Sequence, residues 1–161
     1  DKAFYGEHMQ IQINETYLII GVALLFLFSF FIFVRQKIKI KIDMRKIDRM
    51  TGVEFENYFT KILSDNGFKS IQTTTASSDY GIDILCSKNG KKYGLQLKRY
   101  KGKVGVAAVQ EAVSGTIYYG AKIPCVVTNS FFTAQAIKMA DKCNVILVDR
   151  NNFTNDSFSF K

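Results

Sequence analysis

The apolar residues of this 161-residue chain follow two different patterns, one before residue 35 and one after residue 50. Residues 17–34 (YLIIGVALLFLFSFFIFV) form an uncharged run, whereas later apolar residues recur in short segments separated by polar turns. Segments of the second kind repeat with the periods of helices and strands, and this is typical of a globular domain. The pattern therefore predicts an apolar segment followed by one domain.

The run at 17–34 is long enough to be a membrane-spanning helix. At about 1.5 Å per residue, 18 helical residues approach the roughly 30 Å of a hydrocarbon core. A buried core helix would rarely be apolar on every face. A signal peptide would show a basic start and a small-residue cleavage site, which this segment lacks. We therefore expect a transmembrane helix at 17–34, preceded by a short extracytoplasmic segment at 1–16.

A basic segment follows the apolar run. Residues 35–49 contain seven Lys and Arg residues against two Asp residues. Positive charge beside a membrane helix marks the cytoplasmic side. Residues 35–50 are therefore predicted to be a juxtamembrane linker, and the protein to be a single-pass protein of the cell membrane with its domain in the cytoplasm.

The predicted domain, residues 51–150, begins with a helix. Thr51 and Glu54 have the spacing of a capping box. Apolar residues then recur on one helical face, and Asn66-Gly67 ends the segment. The residues of that face are Phe55, Phe59, Ile62 and Leu63.

Strands and helices alternate through the rest of the domain. The segments Ile82–Ser87 and Tyr93–Tyr100 flank Asn89-Gly90, a strong signal for a β-hairpin. The other predicted elements are strands at 68–74, 124–128 and 145–148 and helices at 106–119 and 133–142. Gly115 is expected to allow close helix packing. The order α-β-β-β-α-β-α-β predicts an α/β fold with a central mixed sheet flanked by helices, and residues 151–161 are predicted to be a polar tail.

The scarcity of histidine excludes several kinds of catalytic site. His8, the only histidine, precedes the apolar run, so a Ser-His-Asp triad or an H-E-x-x-H zinc site cannot form in the domain. The chain has three cysteines, Cys86, Cys125 and Cys143, which lack C-x-x-C spacing and are all expected in the core. An odd number of cysteines without such spacing fits a reducing compartment.

The hairpin predicts which side chains meet. With Asn89-Gly90 as a two-residue turn, the numbers of paired residues sum to 179, so Asp83 lies opposite Gln96. Because side chains alternate between the faces, Lys98 shares the face of Gln96. The opposite, apolar face is predicted to contain Ile82, Ile84, Cys86, Tyr93, Leu95 and Leu97.

A carboxylate, a carboxamide and an amine on one face can support phosphodiester hydrolysis. Asp83, the Gln96 side-chain oxygen and the backbone carbonyl of Leu97 are candidate ligands of Mg²⁺ or Mn²⁺. Lys98 can position the attacking water or stabilise the developing charge. Glu56 in the first helix is a candidate further carboxylate. Asp83, Gln96, Lys98 and Glu56 are thus the predicted catalytic residues.

E56, G81-I82-D83 and Q96-L97-K98-R99-Y100 together resemble the Mrr-type branch of the PD-(D/E)xK nuclease superfamily. The resemblance covers about residues 51–149 and implies a restriction-endonuclease-like fold and a metal-dependent DNA endonuclease. Asp83 matches the acidic metal ligand, Lys98 the catalytic lysine and Glu56 the helix glutamate. Gln96 stands where most of the superfamily has Glu or Asp, and the Mrr branch is similar in using Gln. The resemblance further implies roles near the site for Asp79 and Gln110.

The basic loop after the hairpin is the predicted DNA-binding segment. Arg99, Tyr100, Lys101 and Lys103, with Gln110 from the following helix, are the candidate contacts. The net charge of +8 fits a phosphate-rich partner. Tyr100 can serve as a stacking surface, and the lysines as a phosphate clamp.

Three functions stay open from the sequence. The first is a membrane-anchored DNA endonuclease of restriction type, the second a nucleic-acid-binding module of the same fold without activity, and the third a membrane-tethered scaffold or sensor. Cleavage of two strands by one site per chain favours a homodimer. DNA specificity is either low or supplied by a partner protein.

Overall fold

The computed structural model describes residues 15–31, 43–74 and 80–153 of the chain. Contacts divide the chain into two units, residues 1–39 and residues 40–161. Residues 1–14 of the predicted extracytoplasmic segment, residues 35–42 of the linker and Asp79 lie outside the described residues.

In the first unit, residues 15–31 are helical throughout and form helix α1. Large apolar side chains on all sides of this helix are exposed, with exposed fractions from 49% for Ile20 to 74% for Phe26. Among the described residues, no helix combines the length and the apolar character needed to cross a membrane. The predicted span 17–34 continues past residue 31, so its last three residues lie outside the described part, and the span stays a prediction.

The second unit contains the expected order of helices and strands plus two short elements. Its elements are α2 (Met44–Ile47), α3 (Gly52–Asp65), β1 (Lys69–Thr73), β2 (Ile84–Lys88), β3 (Lys91–Lys98), α4 (Val106–Tyr118), β4 (Ile123–Thr128), α5 (Ala134–Cys143), β5 (Ile146–Val148) and a 3₁₀ turn (Arg150–Phe153). The strands form one sheet in the order β1-β2-β3-β4-β5. β1, β2 and β3 are antiparallel, while β3, β4 and β5 are parallel, so the predicted mixed sheet is confirmed.

Helix α3 forms as its sequence predicts. The Thr51 hydroxyl accepts a hydrogen bond from the Glu54 amide, and the Glu54 carboxylate accepts one from the Thr51 amide. The four predicted apolar residues are all buried, and Asn66 caps the C-terminus. This helix covers one face of the sheet and forms the larger core with Ile84, Leu95 and Val127.

Helices α4 and α5 form a second core with alternate residues of the sheet. Val126 contributes to this core, while its neighbours Cys125 and Val127 belong to the α3 core, because successive strand residues point to opposite faces. The helical residues in it are mostly small, including Ala108, Ala112, Ala136 and Ala140. Small side chains let the helices lie close to the strands.

Two chain segments outside the predicted domain elements contribute to the core. Ile47 of α2 is fully buried and Met50 is 8% exposed, although the sequence assigns residues 35–50 to a linker. Phe153, from the predicted polar tail, is 2% exposed and packs edge-on against Phe59 with ring centroids 6.1 Å apart. Residues 154–161 of that tail lie outside the described residues.

The cysteines differ from one another in exposure. Cys86 and Cys125 are buried, as predicted, and burial raises the pKa of the Cys86 thiol to about 12. Cys143 is exposed, so its predicted place in the core is wrong. It is the last residue of α5, and residues 141–144 at this end of the helix are all exposed.

Candidate active site

The β2–β3 hairpin has the register that the sequence predicts. Ile84 pairs with Leu95 and Lys88 with Lys91, so the numbers of paired residues sum to 179. Asn89 and Gly90 have positive φ angles of 52° and 73°, as a two-residue turn of this kind requires. Asp83 therefore lies beside Gln96 at the start of the β2 pairing.

Asp83 and Gln96 form a buried polar pair. The Asp83 carboxylate accepts hydrogen bonds from the Gln96 amide nitrogen at 2.8 Å and from the Leu97 backbone amide at 2.5 Å. Asp83 is 8% exposed and Gln96 is 4% exposed. The structure thus brings these two predicted residues into direct contact. Leu97 contributes its amide to Asp83, and the ligand role of its carbonyl stays a prediction.

The side-chain oxygen of Gln96 is an orphaned acceptor. This Oε1 atom is buried and has no hydrogen-bond partner within the described part of the chain. A buried acceptor without a partner costs roughly 1–3 kcal/mol, so a native structure rarely keeps one without a use. A carboxylate beside a free amide oxygen offers the hard oxygen donors that Mg²⁺ and Mn²⁺ prefer, so these residues fit a divalent cation. Within the described residues, no group of three His, Cys, Asp or Glu side chains is placed to hold a metal.

Lys98 meets a carboxylate that the sequence did not single out. Its ammonium lies 2.7 Å from the Glu111 carboxylate of α4, and both side chains are partly exposed. Gln110, the residue predicted near the site, is exposed, and its carbonyl accepts a hydrogen bond from Ser114. Successive helical residues point about 100° apart, so only one of the two can face Lys98. Here it is Glu111, and the role of Gln110 stays a prediction.

Close packing of α4 on the chain before β2 brings Glu111 to the site. Gly81, with φ of 82°, has no room for a side chain because an added Cβ would lie 2.7 Å from the Glu111 carbonyl oxygen. A Cβ at Gly115 would lie 2.3 Å from the Tyr80 carbonyl oxygen. The predicted packing role of Gly115 is confirmed. The two glycines let the helix and the loop touch through their backbones.

The same packing overturns the predicted position of Ile82. An added Cβ at Gly94 would lie 3.0 Å from Ile82 Cδ1, and one at Gly115 would lie 2.6 Å from Ile82 Cγ1. Ile82 is therefore buried toward α4 rather than on the α3 face with Ile84. The alternation of side chains between the two sheet faces does not extend to Ile82, because β2 begins at Ile84 and the chain turns at Gly81. Helix α4 thus covers the polar side of the hairpin.

The remaining predicted catalytic residue, Glu56, lies in the first turns of α3 between the buried Phe55 and the exposed Asn57, and it is half-buried. Its catalytic role stays a prediction. Asp79 lies outside the described residues.

The basic loop after Lys98 borders two connected clefts. A cleft of about 300 Å³ is lined by Lys98 and Glu111 together with Tyr100 and Lys103. A second cleft, of about 510 Å³, shares Tyr100 and Lys103 with the first. The described residues that line the larger cleft are Asp48, Arg99, Tyr100, Lys101, Gly102, Lys103, Asn129, Ser130, Phe131 and Arg150. All four basic-loop residues predicted to contact DNA thus line one cleft beside Lys98.

Asp48, Asn129 and Arg150 hold the base of this loop. Asp48 accepts hydrogen bonds from both terminal nitrogens of Arg150, at 2.9 and 2.8 Å, and from the Asn129 amide at 2.9 Å. The Asn129 side-chain oxygen accepts a bond from the Tyr100 amide at 2.7 Å. The hydrogen bond from Arg150 lowers the pKa of Asp48 below its usual range. Arg99 donates a further hydrogen bond to the Met50 carbonyl.

Comparison with known proteins supports the resemblance seen in the sequence. The family model for the catalytic domain of Mrr-type restriction endonucleases matches residues 47–155, more than half of the chain. Comparison with curated proteins gave no significant match. A solved structure of the protein of unknown function AF1548 is similar in fold, with a TM-score of 0.51 and 18% identity.

The similarity to that structure covers 58% of this chain and 55% of the other, so the chain spans about half of that protein. The start of the family match at residue 47 agrees with the burial of Ile47 in the core. The chain belongs to the Mrr-type restriction endonuclease family, and its domain has the mixed sheet and flanking helices of a restriction-endonuclease-like fold.

Proposed function

We propose that this protein is a metal-dependent DNA endonuclease of restriction type, which hydrolyses phosphodiester bonds at the site formed by Asp83, Gln96 and Lys98. The observation that carries the proposal is the buried contact between Asp83 and Gln96, which leaves the Gln96 oxygen without a partner. Lys98 lies two residues further along the same strand. Family membership makes DNA the expected substrate.

Asp83 and the Gln96 oxygen are the residues that would hold Mg²⁺ or Mn²⁺. When bound, such an ion polarises the phosphate and lowers the pKa of a coordinated water. The two hydrogen bonds from Gln96 and Leu97 fix the orientation of the Asp83 carboxylate before any ligand arrives. Fixed geometry of this kind lowers the reorganisation needed during catalysis.

Lys98 supplies positive charge at the end of β3. Its ammonium can neutralise charge that develops on the phosphate in the transition state. Glu111 holds the ammonium in place at 2.7 Å and adds a carboxylate where Gln96 contributes none. We propose that Glu111 positions Lys98 and accepts a proton during water attack.

Cleavage of supercoiled plasmid tests the proposal. Purified protein should convert the plasmid to open circles in Mg²⁺ and not in EDTA, and Asp83→Ala and Lys98→Ala should each abolish conversion. Asp141→Ala and Lys122→Ala are matched controls, because both residues are exposed and belong to neither cleft. Circular dichroism checks that each variant is folded. Wild-type rates in the Asp83 and Lys98 variants would refute the assignment.

Binding without cleavage would favour the alternative of a DNA-binding module without activity. Such binding should weaken steeply with salt if phosphate contacts dominate it. The order in which products appear also tests whether the protein acts as a homodimer. A homodimer that cuts both strands yields linear DNA early, whereas a monomer accumulates open circles first.

We further propose that the domain is tethered to the cell membrane on its cytoplasmic side by residues 17–34. The uncharged run, the exposed apolar side chains of α1 and the basic residues 35–49 support this arrangement. Extraction of cell membranes at alkaline pH should leave the full chain in the pellet and release a chain that begins at residue 40. Recovery of the full chain in the alkaline supernatant would contradict the tether.

A further inference from the structure

The larger cleft beside Lys98 is lined by two aromatic residues. Tyr100, from the basic loop, is 59% exposed, and Phe131, from the loop after β4, is 40% exposed. Both line the same cleft of about 510 Å³. Exposed aromatic side chains that line a polar cleft offer stacking surfaces for a planar ligand.

Hydrogen bonds hold the floor of this cleft. Asn129 and Ser130 are 5% and 9% exposed, and they connect β4 to Phe131. The Asn129 side chain accepts a hydrogen bond from the Tyr100 amide and donates one to Asp48, so a partly buried hydrogen bond joins the segments that carry the two aromatic residues. The backbone of Phe131 is also held, because its carbonyl accepts a bond from the Val104 amide at 2.8 Å. Hydrogen bonds therefore hold the backbone at both aromatic residues before a ligand binds.

The charge of the cleft suits a phosphate-bearing ligand. Its lining contains four basic residues and a single acidic one, Asp48, which is neutralised by Arg150. Among the described residues, no acidic side chain forms an ion pair with Lys101 or Lys103. The lysine ammonium groups at the rim are available to phosphates that flank a bound base.

The cleft adjoins the proposed site of cleavage. Tyr100 and Lys103 line both this cleft and the smaller one that contains Lys98 and Glu111. A nucleic acid strand with a phosphate at Lys98 therefore places a neighbouring nucleoside at Tyr100. In a paired duplex the base faces are covered by their neighbours, so only a base outside the stack can place its face on an aromatic ring of the protein.

We propose that the cleft lined by Tyr100 and Phe131 binds a single unstacked nucleotide of the DNA, and that the substrate class of this nuclease is DNA with an unpaired or extruded base beside the scissile phosphate. The proposal rests on the proposed function for the identity of the scissile site. Base binding itself does not require cleavage, and the test below is made without metal.

The test compares the binding of two fluorescent duplexes in EDTA, one fully paired and one with a single bulged nucleotide. Because stacking on an aromatic side chain contributes about 1–3 kcal/mol per base, the wild-type protein should bind the bulged duplex roughly tenfold to a hundredfold more tightly. Tyr100→Ala and Phe131→Ala should each lower this preference at least fivefold. Both should weaken binding to the bulged duplex more than binding to the paired duplex, because neither removes a charge.

Two control variants separate stacking from other effects. Tyr118→Ala removes a tyrosine that is 60% exposed but lies outside the cleft, so the preference should persist. Lys101→Ala should weaken binding to both duplexes equally and reduce the salt dependence by about one phosphate contact. A 2-aminopurine at the bulged position should lose fluorescence on binding to the wild type and regain it in the Tyr100 variant.

Equal affinity of the wild type for both duplexes would overturn the proposal, as would a preference that survives both aromatic substitutions. If only the proposed function is wrong, the protein cuts no DNA in Mg²⁺ but still binds the bulged duplex more tightly than the paired duplex. A protein that cuts paired DNA without any preference for the bulge would contradict this inference alone.

Discussion

Replacing Gly115 with alanine tests how helix α4 packs against the chain that leads to Asp83. Gly115 lies inside α4, and its position faces Tyr80, Gly81 and Ile82. An added Cβ would lie 2.3 Å from the Tyr80 carbonyl oxygen and 2.6 Å from Ile82 Cγ1. Non-bonded carbon atoms prefer about 3.5–4.0 Å, so the helix and the loop would have to separate by about 1 Å.

Two opposing effects determine the change in stability. In the interior of a helix, alanine is more favourable than glycine by about 1 kcal/mol. Overpacking costs about 1–3 kcal/mol, and a contact with backbone atoms lies at the upper end because neither partner can rotate away. The variant should therefore be destabilised by roughly 2 kcal/mol. The shift also moves Asp83, and a misplacement of about 1 Å in a catalytic site can lower the rate about a hundredfold.

Urea unfolding of the domain measures the change in stability, and plasmid cleavage at a temperature where the variant is folded measures the change in rate. Gly52→Ala is a matched control, because it lies in the first turn of α3 and an added Cβ has no neighbour within 4 Å. The control should be as stable as the wild type or more stable by up to about 1 kcal/mol. A Gly115→Ala protein that equals its parent in stability and cleavage would refute the packing argument.

Two further substitutions test the site and its supporting network. Glu111→Gln removes the ion pair with Lys98 while changing the free energy of unfolding by less than about 1 kcal/mol, because the pair is partly exposed. Cleavage should nevertheless fall at least tenfold, and an unchanged rate would exclude Glu111 from the mechanism. Asp48→Asn should destabilise the domain at neutral pH by about 1 kcal/mol. Since the folded pKa of Asp48 lies below its ordinary value of 3.8, the stabilisation is present above that value and lost as the pH falls through the folded pKa. The difference between wild type and variant, followed by urea unfolding, should therefore shrink below about pH 4, and a difference that grows in acid would contradict the role of Arg150.

The hairpin and its register could be predicted from the sequence because every determinant is local. Asn89-Gly90 fixes the turn, and the period of two then fixes which residues face each other. The contact between Asp83 and Gln96 follows from these two facts alone. The capping box of α3 is equally local, since its partners Thr51 and Glu54 lie three residues apart.

The place of Glu111 could not be predicted in this way. It depends on the rotation of α4 over the sheet, which is fixed by contacts between Gly81, Gly115 and residues distant in sequence. The burial of Ile47 and Phe153 is also non-local, because each is an apolar residue in a charged or polar segment and only the finished core determines its burial. The sequence did carry a signal for Glu111, because this residue is a carboxylate in α4, the helix that follows the strand of Lys98.

Diffraction from crystals grown in Mn²⁺ tests the central claim most directly. We expect an anomalous scattering peak within coordinating distance of the Asp83 carboxylate and the Gln96 side-chain oxygen, and its loss in Asp83→Ala. A well-ordered site at which Mn²⁺ leaves Gln96 Oε1 without a partner, or binds elsewhere in the domain, would contradict the account.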